Sequence, residues 1–247
     1  MLKNTIKKTV KNIFHNIGVD IRLVNNLEKF KNIPDFEFYD PVFSPWKGYS
    51  DFQRSCQLAS SKSLVSNDRL YVLYALAKQC LNIVGEYWEC GVYKGGTALL
   101  LSDLIKSSNA KKKLRLFDTF EGMPTTNPDK DLFHNKGDFS DTSIEAISGL
   151  FEKTDNVELH AGYIPDTFKN LDESKIAFAH VDVDIYKSVL DCCNFIYPRL
   201  QNGGVIVFDD YGFPSCPGAR QAVDEFFKNK KEVPLVLSTG QAVVYKI

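Results

Sequence analysis

His180-Val181-Asp182-Val183-Asp184-Ile185-Tyr186 and Val205-Ile206-Val207-Phe208-Asp209-Asp210-Tyr211 decide how this chain is read. Each is an apolar run that stops at a pair of acids. Apolar runs of this length read as strands buried on both faces of a parallel sheet. Acids at the carboxyl ends of such strands face the crevice in which open α/β sheets bind ligands. Two strands ending this way gather carboxylates in one small volume, and their repulsion needs a cation or protons to relieve it. The simplest relief is a divalent ion held by hard oxygen ligands. The spacing points to Asp182, Asp209 and Asp210 as the ligands, with Asp184 beside them. Mg2+ suits all-carboxylate ligation with open water positions. Such an ion lowers the pKa of a hydroxyl it binds, so that a neighbouring carboxylate can take the proton.

Outward from these runs, strands and helices alternate from Glu86 to the end of the chain. The pattern predicts strands at 87–90, 114–117, 157–160, 176–181 and 205–208, then a closing hairpin of 235–238 with 242–246. Helices are expected at 67–80, 98–107, 142–153, 165–169, 187–197 and 218–228. Gly203-Gly204 reads as the close of the helix before the last acidic strand. Alternation of this kind predicts a Rossmann-like, seven-stranded, mostly parallel doubly wound sheet whose last strand is antiparallel.

Glu89-Cys90-Gly91-Val92-Tyr93-Lys94-Gly95-Gly96-Thr97 is a glycine-rich turn from strand to helix. Its spacing is neither that of the dinucleotide fingerprint nor that of a P-loop. Asp118 stands at the next strand end, 27 residues past Gly91, where an acid accepts hydrogen bonds from ribose hydroxyls. A glycine loop without a phosphate signature, joined to a ribose-reading acid, suits a nucleoside without phosphates. S-adenosylmethionine is the leading candidate. Gly91, Tyr93, Gly95, Thr97 and Asp118 are its expected contacts, with Glu89 toward its amino-acid portion.

The 247 residues carry a net charge of -1, which gives no bias toward nucleic acid. No apolar run has the ~20 residues that span a bilayer. The six cysteines form no CxxC pair and sit with no histidine cluster, so reduced thiols in a cytoplasmic protein are expected. Residues 1–60, rich in aromatics around Pro34, Pro41 and Pro45, are expected to form an irregular or helical N-terminal arm ahead of a catalytic domain at 61–247. Residues 1–17 have no continuous apolar stretch or small-residue cleavage site, so no signal peptide is expected. Residues 1–32 hold seven Lys/Arg against Asp20 and Glu28. That basic, amphipathic segment offers peripheral contact with an anionic inner membrane face, or else packs on the protein's own body or a second subunit.

Glu89–Thr97, Asp118-Thr119-Phe120-Glu121-Gly122-Met123-Pro124, His180–Tyr186 and Phe208–Gly212 together resemble the macrocin O-methyltransferase family. So does Cys216-Pro217-Gly218-Ala219-Arg220 with Ala222–Phe226 behind it; the resemblance covers residues 65–247. It implies a class I methyltransferase fold, S-adenosylmethionine, Mg2+, sugar hydroxyls of a glycan or glycoside as acceptor, and a homodimer. It places the metal on Asp182, Asp209 and Asp210, and the base on Asp182 or Asp184. It makes 120–141 a mobile lid, with Gly137 and Phe139 among the cofactor contacts and His134 near the acceptor. Thr119, where serine is common, and Cys90, an unusual neighbour for the first glycine, depart from the pattern without touching the chemistry. The arm's basic character points toward a polysaccharide or lipid-linked glycan as acceptor.

Two other functions fit parts of the sequence. Asp182-Val183-Asp184 is an Asp-x-Asp triplet of the kind a nucleotide-sugar glycosyltransferase uses to hold a metal on a diphosphate. That reading leaves Asp209-Asp210 without a role. A non-catalytic, membrane-recruited binding module would use residues 1–32, yet has no need of four crowded carboxylates.

Overall fold

The structure is a computed structural model that describes residues 43–48 and 50–247. The basic segment 1–32 lies outside the described residues. The chain divides into two units, 1–49 and 50–247. The described part of the first holds one 3-10 turn at Pro45–Lys47.

The second unit is built on seven strands: β1 Glu86–Cys90, β2 Leu114–Asp118, β3 Val157–Ala161, β4 Ile176–Val181, β5 Leu200–Phe208, β6 Leu235–Val236 and β7 Ala242–Tyr245. Its helices are α1 Ser50–Ser60, α2 Asn67–Gln79, α3 Gly96–Ser107, α4 Ile144–Phe151, α5 Tyr186–Ile196 and α6 Pro217–Phe227. They form one sheet in the order β3-β2-β1-β4-β5-β7-β6. β1 to β5 run parallel, and β7 enters antiparallel to both β5 and β6. This is the doubly wound sheet with a reversed last strand that the alternation predicts. All six residues of β4 are buried, as its uninterrupted apolar run requires.

The strand order reverses between β1 and β4, and a doubly wound sheet binds ligands outside the carboxyl ends of its strands at that point. Gly91 follows β1 and Asp182 follows β4. Gly91 has φ +88°, and a Cβ on it would lie 1.7 Å from the Asp182 carbonyl oxygen. The glycine therefore brings the two strand ends together, and any side chain there would force them apart.

Three elements sharpen or correct the sequence reading. Helix α1 gives defined bounds to part of the stretch read only as an irregular or helical arm. Its Phe52, Ser55, Cys56 and Ala59 are buried, Ser55 Oγ donates to Asp103 Oδ2 of α3 at 2.7 Å, and Phe52 meets the Tyr71 and Tyr74 rings of α2 edge-on. β5 begins at Leu200, so Gly203-Gly204 lies inside a strand rather than after a helix. A Cβ on Gly204 would sit 2.9 Å from the Ala177 oxygen, beside an irregularity in the β4–β5 pairing. The helix expected near 165–169 is a single 3-10 turn, Asp166–Phe168.

Candidate active site

The carboxyl ends of β1, β2, β4 and β5 open into one cavity of about 300 Å³. Asp118 stands on one wall and Asp182, Asp184 and Asp210 on another; Arg69 of α2 and His134 of the 119–141 segment also border it.

The carboxylates fall into two kinds. Burial first, then the Asp209 charge, pushes the Asp182 carboxyl well above the usual carboxylate range. Burial and the charges of Asp182, Asp184 and Asp209 do the same to Asp210. Asp184 is raised as well, chiefly by burial. Asp209 is fully buried yet shifts downward. Burial works to raise it, but facing His180, Arg69 and Gln241 outweighs that effect. Arg69 Nη1 pairs with Asp209 Oδ2, and Gln241 Nε2 donates to Oδ1 at 2.7 Å. His180 Nε2 faces Oδ1 at 3.5 Å, long for a well-formed hydrogen bond. Burial opposes protonation of His180, but its acidic neighbours Asp209, Glu89 and Asp182 hold its pKa well above the ordinary value. Asp209 thus has its compensating cations in direct contact, whereas Asp182 feels His180 and Arg69 too weakly to offset its burial and Asp210 has no cation among its neighbours; both border the cavity. Asp182 and Asp210 both line the cavity and offer the hard oxygens that a Mg2+-type ion takes, while Asp209, grouped with Asp182 and His180, does not line it.

These shifts carry a stability consequence. In the absence of metal, His180, Asp182 and Asp210 bind protons in the folded chain that they release on unfolding, so stability falls as pH rises. The His180 share is complete below about pH 6.5 and is lost as pH climbs through its raised value. The two aspartates cost stability increasingly above about pH 4. Asp209 has the opposite sign, and its share is lost only in acid, below the usual carboxylate range. The melting temperature of chelator-treated protein is therefore expected to decline between about pH 5 and 8. Mg2+ should shrink that decline by taking over Asp182 and Asp210. A melting temperature indifferent to both pH and Mg2+ would contradict this picture.

Asp184 has φ +57°, a backbone state that aspartate tolerates only at some cost. Its N–H donates to Asp210 Oδ2 at 3.1 Å, and the Ile185 N–H donates back to the Val183 oxygen at 2.5 Å. Tyr93, Phe120 and Phe139 also have positive φ. Of these four, Tyr93, Phe139 and Asp184 border the cavity, where backbone strain is commonly stored.

The Asp118 carboxylate organises the glycine loop. Its Oδ2 accepts from the Val92 and Tyr93 N–H groups at 2.7 and 2.9 Å, and Oδ1 accepts from the Phe120 N–H at 2.8 Å. Thr119 Oγ1 lies 3.4 Å from Oδ1, but its one proton goes to the Gly122 oxygen at 2.6 Å. One lone pair of Oδ1 therefore stays free, on a residue that borders the cavity. Beside it, α3 starts at Gly96, and the first amides of a helix have no partner within it.

The 119–141 segment is pinned to the body at Asp131, which is 4% exposed. Asp131 Oδ2 accepts from the Asn127 N–H at 2.9 Å, and Oδ1 from the Tyr186 N–H at 2.8 Å. Ile185, at the N-cap of α5, has no capping side chain, so Asp131 of the 119–141 segment supplies the cap. Gly218 leaves the room, since a Cβ there would lie 2.2 Å from Asp131 Oδ1. Asp131→Ala is expected to cost about 1–3 kcal/mol in a denaturant titration, as it orphans a helix-terminal N–H held by a charged group. An unchanged midpoint would remove the pin.

Of the expected site residues, Gly91, Tyr93, Thr97, Asp118, His134, Phe139, Asp182, Asp184 and Asp210 border the cavity. Four others do not. Glu89 is fully buried and turns to His180 Nδ1 at 3.0 Å, because the β1 pleat points it across to the paired residue of β4. Gly95 is the left-handed N-cap of α3, with its α-carbon toward Leu150 rather than the cavity. Gly137 makes a turn whose N–H donates to the Met123 oxygen at 2.9 Å. Asp209 lies behind the wall, engaged as above. The sequence reading missed Arg69, Gln241 and Cys216. Arg69 had a signal: it sits in the first turn of α2, where a cation opposes the helix dipole, so its place implies an acidic partner elsewhere.

A reversed-last-strand doubly wound sheet, with a glycine loop and strand-end acid facing a carboxylate cluster across one cavity, defines the class I methyltransferase architecture. The chain belongs to the family described as Macrocin-O-methyltransferase (TylF), which matches residues 54–246. Curated relatives include a demethyldecarbamoylnovobiocin O-methyltransferase of Streptomyces niveus, 26% identical over 156 residues, or 59% of this chain and 59% of the relative. Another is a mycinamicin III 3''-O-methyltransferase of Micromonospora griseorubida, 27% identical over 157 residues, or 58% of this chain and 61% of the relative. The chain thus spans about 59% of the length of the first of these relatives. Among solved structures, the O-methyltransferase NovP shares the fold with a TM-score of 0.68 at 22% identity, over 75% of this chain and 82% of that one. The calicheamicin methyltransferase CalS11 does so with a TM-score of 0.62 at 19% identity, over 92% of this chain and 99% of that one.

Proposed function

We propose that this chain is a Mg2+-dependent O-methyltransferase that moves a methyl group from S-adenosylmethionine to a sugar hydroxyl of a glycan or glycoside. The observation that carries the reading is the two-sided cavity, with Asp118 and the glycine loop on one wall and the acids of β4 and β5 on another. The family supports the acceptor class, as does a relative from Streptomyces olivaceus whose name, 8-demethyl-8-(2,3-dimethoxy-alpha-L-rhamnosyl)-tetracenomycin-C 4'-O-methyltransferase, carries a rhamnosyl group. The free lone pair of Asp118 would accept from the ribose, the first amides of α3 would meet the polar end of the donor, and Tyr93 and Phe139, whose rings meet edge to face 5.5 Å apart, would offer aromatic contact to its base. Asp182 and Asp210 would hold the metal, with Asp209 behind them, its oxygens already accepting from Arg69 and Gln241. An ion held there would lower the pKa of an acceptor hydroxyl beside Asp182 and Asp210.

The base is Asp184. Asp182 is spent on the metal, whereas Asp184 stands on the cavity wall with its backbone fixed by Asp210. Its raised pKa brings it nearer the working pH, which favours a general base. The hydroxyl proton passes to Asp184 as the oxygen–methyl bond forms and the sulfur–methyl bond breaks. The products are a methyl ether and S-adenosylhomocysteine. A homodimer, and contact of residues 1–32 with an anionic membrane face, belong to the same proposal. Light scattering and vesicle pelleting test them.

The deciding experiment incubates the full chain with methyl-labelled S-adenosylmethionine and a panel of glycosides, in Mg2+ or in chelator. Label should appear in a glycoside, vanish in chelator and return with Mg2+. Binding of a uridine-diphosphate sugar in place of S-adenosylmethionine would move the Asp182-Val183-Asp184 triplet to a glycosyltransferase. Transfer undiminished by chelator would remove the metal.

A further inference from the structure

The cavity holds a second group of potential metal ligands, distinct from the Asp182 and Asp210 pair. His134, Asp184 and Cys216 come from three separate places in the chain: the lid, the turn after β4 and the turn before α6. His134 Nε2 lies 3.4 Å from Cys216 Sγ. Cys216 Sγ lies 3.5 Å from Asp184 Oδ1, and that same oxygen lies 3.8 Å from His134 Nε2. The three contacts close a triangle on the same three atoms.

A tetrahedral zinc ion has bonds of about 2.3 Å to sulfur and ~2.0–2.2 Å to nitrogen and oxygen, which sets its ligand atoms ~3.4–3.6 Å apart. The two edges at Cys216 already match. The edge from His134 to Asp184 needs only a small shift of a loop histidine. All three side chains border the cavity, so a fourth corner opens into it, as in three-ligand zinc sites that keep one position open.

We propose that His134, Asp184 and Cys216 form a site for a thiophilic divalent ion, Zn2+ foremost, and that occupancy stops methyl transfer by capturing Asp184 and tying the lid to the body. Ligand type sorts the two ions. Thiolate and imidazole favour zinc, while Asp182 and Asp210 offer only hard oxygens, which favour magnesium. Cys216 is also the one cysteine of the chain whose side chain borders the cavity among the described residues. Its thiol must give up a proton to ligate, so binding releases a proton to solvent. The inhibitory effect rests on Asp184 being the base; the binding does not.

Cobalt(II) provides a test independent of turnover. One equivalent of Co2+ added to the full chain in saturating Mg2+ should produce a near-ultraviolet thiolate-to-cobalt charge-transfer band and the intense visible bands of four-coordinate cobalt. One equivalent of Zn2+ should bleach both. Cys216→Ser should abolish the charge-transfer band. It should also weaken Zn2+ binding at least about 100-fold, since losing even an outer-shell partner costs ~10–100-fold. His134→Ala, a substitution in a loop, should weaken it comparably. Zn2+ should inhibit wild-type turnover over the range in which it binds, reversibly by chelator with Mg2+ restored. No thiolate band at stoichiometric Co2+, or a band that survives Cys216→Ser, overturns the site. A band with turnover untouched by Zn2+ overturns the inhibition. If the band forms in a chain that transfers no methyl group, the zinc site stands and the methyl-transfer reading falls.

Discussion

Asp184→Asn is expected to lower kcat by about 10²–10⁴-fold, the usual worth of a general base, while S-adenosylmethionine binds as before. The amide keeps the size of the side chain, and the backbone N–H to Asp210 survives, so the φ +57° turn should hold. What disappears is the ability to accept a proton at the oxygen nearest His134 and Cys216. The loss should fall on kcat rather than on the donor dissociation constant, because Asp184 enters the cavity from the end of β4 and Asp118 from the end of β2, two strands away. The pH profile should change as well: the acid limb of kcat set by Asp184 should vanish from the residual activity. A variant with wild-type kcat returns the base to Asp182 or to a group not yet considered.

Two adjacent substitutions should part in sign. Asp209→Asn and Asp210→Asn are both expected to abolish turnover. In stability they should diverge. Asp209 is the partner of Arg69 and faces His180, so neutralising it leaves buried cations without their anion, at a cost of about 3–5 kcal/mol. Asp210 feels only the negative charges of Asp182, Asp184 and Asp209 besides the Asp184 N–H. Neutralising it removes repulsion, so the metal-free protein should gain stability, by about 1–2 kcal/mol. Function and stability then pull apart at one residue, as expected for a site held in tension for a ligand. Urea titrations of both variants in chelator measure this. A stabilised Asp209→Asn, or an Asp210→Asn destabilised to the same degree, would contradict the division of the four acids.

Much of this architecture was legible in the sequence because it rests on local patterns. The β4 and β5 runs are apolar throughout, and parallel strands buried on both faces leave few other readings. The acids stand where the strands stop, so the cluster followed from topology. What escaped were contacts between distant segments. Helix α1 carries its buried positions at 52, 55, 56 and 59, a helical spacing. Only Phe52 among them is large, and the prolines and aromatics upstream drew the eye instead. Arg69 and Gln241 meet Asp209 across 140 and 32 residues of chain, and nothing in their local sequence names that partner. Glu89 sits beside the glycine loop in sequence, yet the strand pleat turns it to His180. Cys216 looked like any reduced thiol until the fold set it against His134 and Asp184.

The central claim is that one cavity has two separable halves, one for an adenosyl donor and one for a metal and acceptor. Calorimetric titration of S-adenosylmethionine into wild type, Asp118→Ala and Asp182→Asn tests it most directly. The account predicts that Asp118→Ala loses about 1–3 kcal/mol of donor affinity, while Asp182→Asn binds the donor as wild type does and no longer turns over. Donor affinity unchanged in Asp118→Ala, or lost in Asp182→Asn with turnover kept, would contradict it.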